Sequence, residues 1–224
     1  MMPSFNILNI LLTAIIILPP MIFAITLHEV AHGWVAKQFG DATAFFAGRI
    51  TLNPVKHVDP IGTIIVPIGL YYLTNGQMTF GWAKPVPVAF GNLNNPRRDM
   101  ILVAAAGPAS NLIMALGWSL ISASVIFLGG MNTVVGQIVV NMCVFGIFIN
   151  VILCVFNLLP LPPLDGGRVL AGLLPPRASA VLDRIEPFGF FIVLALLYTG
   201  VLWTVLNPPR LFFMDLFHAV AGLS

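Results

Sequence analysis

Charge is what this sequence has least of. Only 8% of its residues are charged, against 58% hydrophobic, where a soluble domain typically carries about 25% charged residues. Too little polar surface remains to coat a water-soluble globule. That scarcity excludes an ordinary cytosolic enzyme, a disordered chain, and a nucleic-acid binder held by a basic face. Cysteine is scarce too. Cys143 and Cys154 both lie in apolar surroundings and form neither a disulfide framework nor a CxxC metal pair. The opening MMPSFNILNI lacks the positive flank of a cleavable signal peptide, so the first apolar segment is expected to be retained. No charged residue occurs between Asp99 and Asp165.

What is present in quantity is long apolar runs. A length of 224 residues accommodates four or five spans of about 20 residues each. Asn6 to Phe39 is one such run, broken only by Pro19-Pro20 and a polar cluster near His28, and reads as one bent helix or two shorter ones. Gly129-Gly130 divides the charge-free stretch into helices of roughly 100–128 and 134–158, and a last span is expected over 188–206. Between the first two spans, Phe45, Ile50, Leu52 and Val55 among Gly, Arg, Asn and Pro suggest short strands and turns. Ile61 to Leu73 is apolar but too short to span, and Lys84-Pro-Val-Pro-Val88 reads as an edge strand. The tail from Arg210 to Leu223 suggests an interfacial helix. The expected fold is therefore an all-α polytopic membrane protein: about four transmembrane helices, a re-entrant and short-strand region, and an interfacial C-terminal helix, in one domain covering residues 1–224. Arg49, Lys56, Lys84, Arg97 and Arg98 lie in the first long connection and Arg168, Arg177 and Arg184 in the third. By the positive-inside rule both connections are cytoplasmic and the N-terminus is outside.

The rare ionisable groups are not scattered. The chain holds four histidines and two glutamates, and three of those six residues fall in His28-Glu29-Val30-Ala31-His32. On a helix, positions i and i+4 share a face, so His28 and His32 can reach one tetrahedral Zn²⁺. Glu29 lies about 100° round the helix, placed to act on water rather than to ligate. A charged group within the bilayer costs roughly 2.5–3.5 kcal/mol or more, so three together need a reason, and a metal supplies one. A catalytic zinc site takes a third protein ligand. Val35 and Gln38 rule out the extended HExxHxxGxxH pattern. The candidates are Glu186, Asp41, Asp59, Asp99, Asp165, Asp183, Asp215, His57 and His218. Asp165 stands out because Pro160, Pro162 and Pro163 must unwind the chain just before it and Gly166-Gly167 permit a tight turn after it. Unwound backbone at membrane depth is tolerated only where it lines a protein cavity.

His28-Glu29-Val30-Ala31-His32, Gly107-Pro108-Ala109-Ser110-Asn111 and the run from Asn157 through Pro160 to Asp165-Gly166 resemble the three signature motifs of the site-2 protease family, HExxH, GPxxN and NxxPxxxLDG, in that order. Stretches 48–54, 56–63 and 80–88 resemble its compact prokaryotic subgroup without PDZ or CBS domains; Ala89-Phe90 depart from it where an Asn is expected after Val88. The resemblance implies an intramembrane zinc metalloprotease. It implies His28, His32 and Asp165 as ligands of one Zn²⁺, Glu29 as general base, and Asn157 holding the substrate backbone or the developing oxyanion. Gly107 and Asn111 read as scaffold, letting two helices approach and hydrogen bond. The implied activity is endoproteolysis of transmembrane protein segments near the cytoplasmic side, in a prokaryotic cell membrane, with the lipid bilayer as surroundings and no nucleic acid as partner. Two rivals stand beside it: a zinc membrane protease of different architecture with Glu186 as ligand, and a metal carrier that does not hydrolyse. A carrier needs ligands but no general base beside the first histidine.

Overall fold

The computed structural model describes residues 7–76 and 81–223. Residues 1–6, and Phe80 at the start of the 80–88 stretch, lie outside the described residues. Helix α1 (Ile7–Gln38) is a single helix with Pro19 and Pro20 inside it, about 48 Å long at 1.5 Å per residue. A short α2 (Thr43–Phe46) follows, then α3 (Val66–Leu73) continuing a π-helical stretch Pro60–Ile65. Two long helices come next, α4 (Pro96–Phe127) and α5 (Val134–Asn157), turning at Gly129, whose φ of 74° suits glycine. Four helices complete the chain: α6 (Asp165–Leu173), α7 (Pro176–Ile185), α8 (Gly189–Tyr198) and α9 (Val201–Ala221).

Helices α1, α4 and α5 are each long and apolar enough to cross a membrane, and the α7–α8 segment with α9 forms a fourth candidate span bent by 83°. The protein is a multi-pass membrane protein. Its outer surface is apolar: Ile7, Ile113, Phe127 and Phe191 are all more than two-thirds exposed. Its interior is built from small residues. Ala24, Ala36, Ala115 and Cys143 are fully buried. Between lipid-embedded helices the solvent offers no hydrophobic driving force, so close backbone approach over small side chains provides the packing. A larger apolar cluster of Ile147, Val151, Leu202, Leu206 and Phe217 locks α5 against α9.

Three expectations change. Among the described residues there is no strand. Residues 43–46 and 54–57 form helical turns, and Asp59 caps the 60–65 stretch by accepting from Ile61 N and Gly62 N, both at 2.9 Å. The local polar-apolar alternation had no partner strand to pair with, and proline at the first helical positions favoured helix. Residues 81–89 take no regular secondary structure, and their hydrogen bonds go to side chains and to the carbonyls of His57 and Gly62 rather than to a ladder. Second, the last span is not one straight helix over 188–206. It breaks at Gly200, whose φ of 76° ends α8 in the left-handed conformation. Third, the tail is no separate surface helix, because α9 runs unbroken from Val201 to Ala221 and buries Phe217 and Ala221 in the core.

Helix α6 is bolted to α4 at its far end. Arg97 Nε donates to Gly172 O at 2.9 Å, and Arg97 Nη2 donates to Leu173 O and Leu174 O. These are carbonyls that the end of α6 leaves without intrahelical partners. A hydrogen bond from a charged donor contributes about 1.5–3 kcal/mol. Arg97→Met should therefore lower the thermal unfolding midpoint of the detergent-purified protein. An unchanged midpoint would mean that the α6 terminus is held by packing alone.

Candidate metal centre

One face of α1 turns His28 and His32 inward, and both are buried. Each ring is held from behind. His32 Nδ1–H donates to Val103 O at 2.7 Å, and His28 Nδ1–H donates to Asn111 Oδ1 at 2.6 Å. A carbonyl oxygen only accepts, so Nδ1 carries the proton in both rings and Nε2 keeps its lone pair. The two Nε2 atoms stand 3.1 Å apart. Both acceptors belong to α4, which can come this close because residue 107 is glycine. A Cβ there would overlap His32 Nε2 and lie 2.6 Å from His28 Cε1.

The third group comes from a broken helix. Helix α5 ends at Asn157, residues 158–164 turn, and α6 begins at Asp165. The prolines stop α5 where the sequence places them, and the two glycines allow tight repacking. A Cβ at Gly166 would overlap Leu158 O, and one at Gly167 would overlap Pro162 N. Asp165 Oδ2 thereby reaches His28 Nε2 at 3.2 Å and His32 Nε2 at 3.3 Å, and it accepts no hydrogen bond.

Three electron-rich atoms thus converge with no proton donor among them, an arrangement that suits a divalent cation. Ligand atoms 2.0–2.1 Å from the centre of a tetrahedron stand about 3.3–3.4 Å apart. The observed edges of 3.1, 3.2 and 3.3 Å fit that geometry. Among the described residues, His28, His32 and Asp165 are the group of metal-ligating side chains close enough to share an ion. Glu186 is elsewhere, paired with Arg168 at 2.6 Å. His57 is buried and its Nε2–H donates to Thr51 O at 3.0 Å, a loop contact. Asn157 is half-buried at the last position of α5, its amide N–H donating to Leu153 O at 2.9 Å, so it does not join the three.

Glu29 is half-buried beside the trio, and Val86 N–H donates to its Oε2 at 2.8 Å. The donor belongs to the segment over residues 81–89, which is anchored on both sides of Val86. Lys84 N–H donates to His57 O, Arg49 Nη2 donates to Lys84 O, and Ala89 N–H donates to Asp41 Oδ2. Burial pushes the Asp41 carboxyl up, but hydrogen bonds from Thr43, Ala89 N–H and Asn92 outweigh it and hold it below the usual carboxylate range. Reading the sequence missed Val86, since a backbone N–H carries no residue signature, and weighed Asp41 only as a candidate metal ligand, whereas it anchors Ala89 N–H. The proline on either side of Val86 was the available signal: it leaves Val86 as the one N–H donor in that tripeptide.

The glycine at 107 is open to a direct test. Gly107→Ala gains up to about 1 kcal/mol of helix propensity, whereas overpacking a close contact costs about 1–3 kcal/mol. The variant should unfold at a lower temperature than wild type in the same detergent. Unfolding at the same or a higher temperature would show that α1 and α4 can separate freely.

Comparison with known proteins identifies the family. Residues 14–200 match peptidase family M50. YwhC of Bacillus subtilis (strain 168), which bears the name of a zinc metalloprotease, is 41% identical over 211 residues, covering 89% of this chain and 90% of that protein. Rip2 of Mycolicibacterium smegmatis, similarly named, is 30% identical over 200 residues, covering 84% of this chain and 68% of that protein. MJ0611 of Methanocaldococcus jannaschii, again named as a zinc metalloprotease, is 28% identical over 171 residues, covering 75% and 73%. No solved structure matches the chain. With the HExxH face of α1, the broken helix before Asp165 and a family match spanning most of its length, this chain belongs to peptidase family M50, the site-2 protease family.

Proposed function

We propose that the protein is an intramembrane zinc endopeptidase that cleaves transmembrane segments of other membrane proteins close to the cytoplasmic face. In this reading His28, His32 and Asp165 hold the metal. The observation that carries it is the triangle of two Nε2 atoms and one carboxylate oxygen with edges of 3.1–3.3 Å. When bound, zinc supplies Lewis-acid polarisation of the scissile carbonyl and lowers the pKa of water toward ~7.

The chain's own residues do the rest. Val86 N–H holds one oxygen of Glu29, and the other takes a proton from the attacking water and passes it to the leaving amine. Asn157, placed where α5 ends and the chain turns toward Asp165, holds the substrate backbone or the oxyanion formed on attack. Val103 O and Asn111 keep the two imidazoles oriented throughout. Since α1 is unbroken to Gln38, His28 lies about 15 Å along the helix from that end. Peptide hydrolysis at such depth requires the substrate helix to unwind and water to enter between protein walls. In this reading the first and third connections are cytoplasmic and the N-terminus outside, in a prokaryotic cell membrane; the clustering of basic residues in those two connections supports it.

Metal content and proteolysis should separate cleanly. His28→Ala and His32→Ala should lose most of the zinc that elemental analysis finds in the wild type, and Asp165→Asn should bind it more weakly. Glu29→Gln should keep its zinc but fail to cleave co-expressed membrane substrates, a loss of roughly 10²–10⁴ in rate. Zinc released by Glu186→Gln but not by Asp165→Asn would overturn the ligand set, and cleavage by Glu29→Gln would overturn the base. Depth is a separate expectation. With Cys143 and Cys154 replaced by Ala, cysteines at Leu161 and Leu164 should react slowly with a bulky impermeant thiol reagent from the cytoplasmic side, and cysteines at Arg177 and Ser179 quickly. Equal fast labelling at all four would put the Asp165 loop in bulk water.

A further inference from the structure

Behind His28 lies a chain of two buried amides that none of the three signature motifs fully contains. Asn111 on α4 and Asn150 on α5 are both 0% exposed. Asn150 Nδ2 donates to Gly146 O at 2.8 Å, one turn back on its own helix. That acceptor cannot turn round, so Asn150 Oδ1 must face the other way. There it accepts from Asn111 Nδ2 at 2.9 Å. The same Asn111 nitrogen points toward Ala24 O, 3.4 Å away on α1. With its donor end committed, Asn111 presents Oδ1 to His28 Nδ1 at 2.6 Å.

We propose that Asn150 is a positioning residue of the metal centre: through Asn111 it holds the His28 ring in the tautomer whose Nε2 lone pair faces Asp165. This rests on the reading of His28 as a zinc ligand. The two histidines are secured differently. His32 is held in one step by a backbone oxygen, Val103 O, which has one orientation. His28 is held by a side-chain amide, and an amide can turn over. If Asn111 turned over, its NH₂ would face Nδ1 and stabilise the tautomer with the proton on Nε2, which cannot ligate. Asn150 blocks that reversal, because the turned amide would set two oxygens, those of Asn111 and Asn150, against each other between side chains that are both fully buried. A partner that sets ligand orientation from behind in this way is typically worth about 10–100-fold in metal affinity.

The test uses the full-length protein in detergent, with zinc affinity measured by competition against a chromogenic chelator. Asn150→Leu keeps the number and branching of side-chain heavy atoms but removes the acceptor; Asn150→Asp, as the neutral acid in this buried position, keeps an acceptor oxygen for Asn111 Nδ2 and an O–H for Gly146 O. Asn150→Leu should weaken zinc binding about 10–100-fold, and Asn150→Asp should stay within a few-fold of wild type. In zinc-loaded protein labelled with ¹⁵N-histidine, the His28 Nδ1–H proton should exchange faster with water in Asn150→Leu, while the His32 Nδ1–H, bonded to Val103 O, should not change. That internal reference separates the proposal from a general loosening of α5, which would move both protons and overturn it. Wild-type affinity in Asn150→Leu, or equal losses in the Leu and Asp variants, would overturn it too. His28→Ala is the companion measurement. If that variant keeps its zinc, the ligand reading has failed; if it loses zinc while Asn150→Leu does not, only the role of Asn150 falls.

Discussion

The contact between α1 and α4 at Gly107 is the constraint on which the rest of the site depends. Only a residue without a Cβ lets the α4 backbone lie against the two imidazoles. That closeness brings Val103 O and Asn111 within hydrogen-bond range of the ring nitrogens. Those two bonds turn a pair of helix histidines into a pair of aimed lone pairs. Without them each ring could protonate at either nitrogen, and the 3.1 Å approach of two Nε2 atoms would have no cause.

A second requirement follows from the surroundings. A carboxylate must be brought to the imidazoles inside a largely apolar molecule, where unpaired charge costs roughly 2.5–3.5 kcal/mol or more. A continuous helix offers no way to carry Asp165 sideways. The chain meets the difficulty by ending α5 at Asn157, folding residues 158–164 tightly against Gly166 and Gly167, and restarting as α6 at Asp165. Arg97 holds the far end of α6 to α4, and Arg168, one turn on from Asp165, pairs with Glu186. The carboxylate is thus fixed by an element tied at both ends.

Glu29 is handled differently from the three groups of the candidate metal centre. It is half-buried, and its partner is the backbone N–H of a segment anchored by His57 O, Arg49 and Asp41 rather than by a sheet. The Asp41 carboxylate, kept ionised by its own hydrogen bonds, ties that segment to the end of α1. Residues of the first connection therefore reach into the centre built by α1, α4 and α6, although nothing in their order along the chain suggests a shared site.

Much of this was legible in the sequence, for reasons of period and rarity. The scarcity of charge determined that the chain crosses a membrane. The i, i+4 spacing of His28 and His32 determined that they share a helix face, and Pro160 to Pro163 determined that a helix stops before Asp165. Tertiary structure decided the rest. Whether α1 survives Pro19-Pro20 depends on neighbouring helices, not on the prolines themselves. Among the described residues, the strand-like alternation around residues 45–88 had no partner to pair with, so local capping by Asp59 and proline prevailed. Asn150 and Val86 were invisible, and Asp41 was legible only as a candidate ligand, because their roles rest on hydrogen bonds across 39, 57 and 48 residues of chain, and a sequence records spacing within one element but not which elements meet.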